Sequence, residues 1–261
     1  MREILSDLVA EQQQLDQFLQ TLRDRQWATK TPAAGWTIQD TVSHLAYTES
    51  VAAEVLADGR DRLDAEKITD VDQWTEVGVS QGRGRRHQEI IEWWRFGRAD
   101  VVDALSRMLA TDRVPWIHGE MSARTFATLR LMETWAHGLD IKAAILDRMV
   151  PLDELPEDDE EYEDPLADTL RLRHIAALGQ LSLPFAFEQA GEEYPEKGIR
   201  VEVMGPLYAA WRYGPEDTDQ VIKGMAGDWC RLIVQRSTAD ETGLKAVGED
   251  AEKALLIAKV Y

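Results

Sequence analysis

The residues of this chain best suited to chemistry sit in Leu131-Met-Glu-Thr-Trp-Ala-His-Gly-Leu-Asp140. Glu133 and His137 are four residues apart, so on a helix their side chains share one face about one turn apart. A carboxylate oxygen and an imidazole nitrogen at that spacing can chelate one divalent ion, for the geometric reason that zinc-binding helices carry two histidines four apart. The spacing suits a plain structural Glu–His pair equally well. His44, in Asp40-Thr-Val-Ser-His-Leu-Ala46, offers a third donor, although a lone histidine among apolar neighbours also reads as a satisfied core residue. A helical bundle would bring ligands from facing helices together in its interior. Two histidines and one carboxylate leave positions open for water or substrate, which is the layout of a catalytic rather than a structural zinc site. The candidate metal ligands are therefore His44, Glu133 and His137. Such a set suits zinc, and also iron, nickel, cobalt or manganese.

An anionic substrate beside a metal needs cationic partners. Arg98 falls on an apolar helical stripe one turn past Trp94, and Arg236 follows Trp229 and Ile233 at one helical phase. Each can recognise a carboxylate through its guanidinium fork, or form a structural ion pair with one of the many acidic residues. Asp140 can orient the His137 imidazole, or be an ordinary surface aspartate. His118, in Pro115-Trp-Ile-His-Gly119, is a loop histidine with a minor claim as a fourth ligand. Cys230 beside Trp229 reads as a buried, inert thiol. Trp93, Trp94 and Trp135 read as bundle core or pocket wall. No Gly-rich phosphate loop and no serine nucleophile elbow occurs in the sequence.

The elements that must position these residues are mostly helices. Apolar residues from Ile4 to Leu22 recur at helical spacing, and after Pro32 and Gly35 a helix restarts with Thr37 as its cap and Asp40 closing a capping box. That second helix runs to about Ala57; the polar stretch from Gly59 to about Arg86 reads as a loop. A third helix from Gln88 to Leu109 carries the stripe Ile91, Trp94, Arg98, Val102, Leu105 and Leu109, and Ser122 caps a fourth, from Ala123 to about Leu146. Four such helices fit a four-helix bundle over residues 1–150. Between Asp153 and Asp164 nine of twelve residues are acidic, which marks a solvated linker over 151–168. From 169 to 261 the texture turns α+β: a helical stretch from Leu170 to Gln189, a hairpin of Ile199–Met204 with Ala209–Tyr213, a strand at Val221–Met225, and helices at Asp228–Arg236 and Asp250–Val260.

Composition narrows the class without naming a reaction. In 261 residues, 29 Lys and Arg face 48 Asp and Glu, a net charge of −19. That balance repels phosphate backbones and anionic lipid, so neither nucleic acid nor membrane is an expected partner. A single cysteine excludes an internal disulfide, and Met1 leads directly into charged, Gln-rich sequence, so the expected location is cytoplasmic.

The stretch Gly35-Trp-Thr-Ile-Gln-Asp-Thr-Val-Ser-His-Leu-Ala46, together with Met132-Glu-Thr-Trp-Ala-His-Gly-Leu-Asp140, resembles the DinB-like, mycothiol-dependent maleylpyruvate isomerase family, and within it a metal-binding subgroup of largely unassigned function. The resemblance spans nearly the whole chain. It implies a DinB-like four-helix bundle followed by a smaller α+β, sterol-carrier-like domain, with metal ligands at His44, Glu133 and His137. It further implies zinc and the low-molecular-weight thiol mycothiol, held as thiolate, which adds to an activated double bond, permits rotation and leaves. Arg236 resembles an arginine that the family places near the domain junction. The acidic run looks like an expansion of the family pattern. Three readings stay open: a metal-dependent, thiol-using isomerase or transferase acting on a small electrophilic or anionic molecule; a metal-dependent, thiol-independent hydrolase, dehydratase or cyclase; and a non-catalytic metal- or ligand-binding protein.

Overall fold

The computed structural model describes every residue except 34, 67, 118, 150–163, 165 and 261, and the side chains of 147–149. Most of the expected linker, with the acidic run as far as residue 163, lies outside the described residues, as does His118. Contacts divide the chain into two units, Met1–Leu166 and Ala167–Tyr261.

In the first unit four long helices form the bundle: α1 (Arg2–Thr21), α2 (Ile38–Asp58), α5 (His87–Ser106) and α6 (Ala123–Met149). Each touches two others, in the ring order α1, α5, α2, α6. The start of α2 is fixed as the capping box requires. The Thr37 hydroxyl accepts from the Asp40 N–H at 3.2 Å, and Asp40 accepts from the Thr37 N–H at 3.0 Å. Ser122 caps α6 by accepting from the Thr125 N–H at 3.1 Å. The core joins Leu15 and Leu19 of α1, Ile38, Val42 and Leu45 of α2, Ile90 and Trp94 of α5, and Ile141 and Ile145 of α6.

In this unit three features depart from the sequence reading. The stretch after Gly59 is not a loop: it forms α3 (Arg60–Ala65) and α4 (Val71–Gly82). Helix α4 lies directly on α2 because two small residues let the backbones approach. A Cβ on Gly78 would stand 2.4 Å from Tyr47 Cδ1, and one on Gly82 would stand 1.8 Å from Ser43 Oγ. The segment before α6 forms a hairpin, β1 (Arg113–Trp116) with β2 (Gly119–Ser122), whose Pro115 the edge of a two-stranded ribbon tolerates. The α5 stripe also turns slightly. Val101 rather than Val102 is buried, and Leu109, beyond the helix, is exposed.

The second unit holds helices α7 (Leu172–Leu181), α8 (Leu183–Ala190), α9 (Ala226–Ile233) and α10 (Glu249–Ile257) against a mixed sheet. Its strands are β3 (Arg200–Met204), β4 (Ala210–Tyr213), β5 (Val221–Met225) and β6 (Lys245–Val247), in the order β4-β3-β5-β6. β3 pairs antiparallel with β4 and parallel with β5. Trp229 and Cys230 of α9 are fully buried, the indole donating to the Ala176 carbonyl at 3.0 Å.

Candidate metal centre

Helices α2 and α6 are neighbours in the bundle, and they bring together three side chains far apart in sequence. One ligand atom from each of His44, Glu133 and His137 lies within 4.8 Å of the other two. Glu133 Oε2 stands 3.4 Å from His44 Nε2 and 3.6 Å from His137 Nε2. Hydrogen bonds between such groups close to about 2.7–2.9 Å. By contrast, two donors each ~2.1 Å from one tetrahedral ion stand ~3.4 Å apart. The two separations from Glu133 and the donor types are those that a shared divalent ion could use.

The surroundings fix each donor. His137 Nδ1 lies 3.1 Å from Asp140 Oδ2, and Asp140 is 2% exposed. That contact holds the Nδ1 proton on the far side of the ring and turns Nε2 toward Glu133. His44 Nδ1 is buried without a hydrogen-bond partner among the described residues. The half-buried Trp36 packs against both imidazoles, its ring tilted to His44 at 5.1 Å and to His137 at 5.9 Å between centroids. Both histidines are 8% exposed.

Electrostatics separates the two imidazoles. Burial drives His44 below its ordinary value, although its contact with Glu133 pulls the other way. Burial also opposes charge on His137, but Asp140 and Glu133 together outweigh it and raise that pKa. For Glu133, burial favours the neutral acid, yet the two imidazoles hold the carboxylate well below its usual range. A cation held here would compete with the proton on His137 Nε2, the nitrogen that faces Glu133.

The model of the mycothiol maleylpyruvate isomerase N-terminal domain matches residues 8–142, just over half of the chain and the whole span that carries the triad. The chain belongs to that family. An uncharacterized protein of Mycobacterium tuberculosis is 33% identical over 259 residues, covering 98% of this chain and 94% of the relative. Two crystal structures of the mycothiol-dependent maleylpyruvate isomerase, one a histidine-to-alanine mutant, align at a TM-score of 0.58. They share 15% and 14% identity with this chain, covering 94% of it and 92% of each of theirs. At that identity the likeness is one of fold: a DinB-like helical domain with a C-terminal α+β part.

Of the other residues that the sequence singles out, Arg98 is engaged within the bundle. Its Nη1 donates to the Gln12 carbonyl at 2.7 Å and its Nη2 to Asp16, which also receives Arg95 at 2.6 Å. Its guanidinium stacks on Trp94 at 4.4 Å. Arg236 belongs to the second unit, where its Nη1 donates to the Val234 carbonyl at 2.7 Å and it borders a depression of about 530 Å³ with Thr238 and Glu241. Cys230 is fully buried, and burial pushes its thiol well above the ordinary value.

Three residues near the triad escape a reading based on motifs. Trp36 reads only as a residue before a helix cap. Arg130 completes the stripe Arg130, Glu133, His137 on α6, at steps of three and four, so helical phase alone can find it. Glu49 on α2 has no periodic signal.

Proposed function

We propose that this chain is a divalent-metal-dependent small-molecule enzyme, a thiol-using isomerase or thiol transferase that takes mycothiol and acts on an electrophilic or anionic substrate. His44, Glu133 and His137 hold the metal in this reading, and their two-imidazole, one-carboxylate chemistry suits zinc. The observation that carries it is the pair of separations from Glu133 Oε2, 3.4 Å to His44 Nε2 and 3.6 Å to His137 Nε2. Family membership and the fold shared with a mycothiol-dependent maleylpyruvate isomerase support the choice of thiol and of isomerisation.

A divalent ion at such a site lowers the pKa of a thiol bound to it, supplying a thiolate near neutral pH. The protein's own groups do the rest. Asp140 keeps the His137 ring oriented by accepting from Nδ1, and the low pKa of Glu133 keeps that ligand anionic. Trp36 covers the two imidazoles and limits water on that side. Cys230 is a poor substitute for an external thiol, since it is buried and burial holds its thiol protonated.

The test is a thiol titration of the cobalt-substituted chain, followed by visible absorption. Mycothiol should produce a thiolate-to-cobalt band in the wild type, and His137→Ala should lose both the metal and the band. A cobalt spectrum that millimolar mycothiol leaves unchanged refutes the thiol reading. Stoichiometric metal in His137→Ala refutes the triad.

A further inference from the structure

The interior between α2 and α6 holds a second set of polar groups beside the triad. Glu49 is fully buried, and neither of its carboxylate oxygens has a hydrogen-bond partner among the described residues. Arg130 is 3% exposed, and its Nε and Nη1 likewise lack one. Its guanidinium carbon lies 5.1 Å from the Trp116 ring centroid and 5.6 Å from that of Phe126. Aromatic faces stabilise the charge but cannot accept along the N–H edges. Leaving guanidinium donors unfilled in a protein interior is costly.

Arg130 also stands close to the metal ligands. It lies one turn before Glu133 on α6, and its charge acts on His44 as well as on Glu49. Arg98 does not offer the same opportunity, because Asp16 and the Gln12 carbonyl already occupy two of its donors. Burial pushes the Glu49 carboxyl up to about 7, so near neutral pH it only partly cancels the positive charge facing it. With a net charge of −19 the chain repels anions at long range, so capture of an anionic substrate falls to a local, desolvated cation.

We propose that Arg130 is the anion-binding residue of this site: it takes a carboxylate oxygen of the substrate on donors that the protein leaves unfilled, while the nearby Glu49 carboxylate, which acts on it by charge alone, is the internal counter-charge with which the substrate competes. This deepens the functional reading above and rests on it, by making the substrate a carboxylate.

Calorimetric titration of the metal-loaded, full-length chain with malonate, and separately with its neutral diamide, tests the assignment without any thiol present. Malonate should bind and the diamide should not. Arg130→Gln should weaken malonate about tenfold or more, the loss expected for hydrogen bonds to a charged group, while retaining wild-type metal content. Glu49→Gln removes the competing carboxylate and should tighten malonate severalfold, which keeps the idea testable if Arg130→Gln does not fold. Malonate that binds Arg130→Gln as tightly as wild type, that does not bind wild type, or that gains nothing from Glu49→Gln overturns the assignment. Those outcomes leave the cobalt–thiol result standing. A silent cobalt spectrum beside Arg130-dependent malonate binding would instead reject the thiol reading and keep the anion site.

Discussion

Replacing Glu49 by Gln should stabilise the metal-free protein, and only above the ordinary carboxylate range. Burial raises this carboxyl from 4.5 to about 7; Arg130 opposes that shift, Glu133 adds to it, and Arg98 opposes it again. In the unfolded chain the group titrates near 4.5, so between 4.5 and about 7 the folded protein keeps a proton that the unfolded chain has released. Stability then falls as pH rises through that window, because the folded state binds more protons. Above the window the whole ionisation penalty is present, and at ~1.4 kcal/mol per unit it amounts to about 3 kcal/mol. Gln has nearly the same shape and never ionises. Urea unfolding of wild type and Glu49→Gln, with EDTA present and tryptophan fluorescence as the probe, measures the difference across the pH range. The two proteins should match at the acid end, and the variant should be more stable by about 3 kcal/mol at the alkaline end. Loading metal should shrink the gap, since a cation beside Glu133 offsets its repulsion of Glu49. An offset that does not change with pH, or a wild type more stable at alkaline pH, would refute the picture of Glu49 as a buried carboxylate without partners.

Three further outcomes follow from particular contacts. Asp140→Ala removes the acceptor 3.1 Å from His137 Nδ1 and should weaken metal binding about tenfold to a hundredfold in competition with a chromophoric chelator; unchanged affinity would show that this contact does not support the ligand. Asp16→Asn leaves Arg95 and Arg98 without their shared carboxylate and should cost about 3 kcal/mol at neutral pH. Burial raises the Asp16 pKa, but Arg95 and Arg98 more than reverse it, so the folded value lies below 3.8; the pair's contribution is present above that value and fades as pH falls through the folded pKa. Urea midpoints of wild type and variant should therefore converge in acid. Gly78→Ala would push a Cβ to 2.4 Å from Tyr47 Cδ1 and should cost about 1–3 kcal/mol in thermal unfolding, whereas a neutral effect would contradict the close seating of α4 on α2.

Local signals are legible at the start of α2 and along β3, where the deciding interactions lie within a few residues. Thr37 and Asp40 mark the start of α2 because a capping box satisfies orphan N–H groups within four residues. The alternation of Val201 and Val203 marks β3 because one face of that strand is buried and the other is not. The stretch from Gly59 to Arg86 defeats the same approach. Helix α4 presents glycines at 78 and 82 as its contact face, a pattern that reads as weak helix in isolation and gains its meaning only from Tyr47 and Ser43 on the partner helix. Similarly, β6 has just three residues, and it is a strand because β5 pairs with it.

The site divides along the same line. Glu133 and His137 are legible together because four residues span one helical turn, and His44 becomes legible once a bundle is assumed to set α2 beside α6. Arg98 shows how far such reasoning reaches: its phase on α5 puts it on an inward stripe, but phase cannot say that Asp16 of α1 will meet it there. Arg130 has the right phase too, and differs from Arg98 only in what the fold fails to give it. A buried arginine is informative through its unfilled donors, and those exist only once every neighbouring helix is in place. The three candidate ligands can thus be found from spacing and an assumed bundle, whereas the residue proposed to choose the substrate is singled out by buried donors that stay unfilled among the described residues.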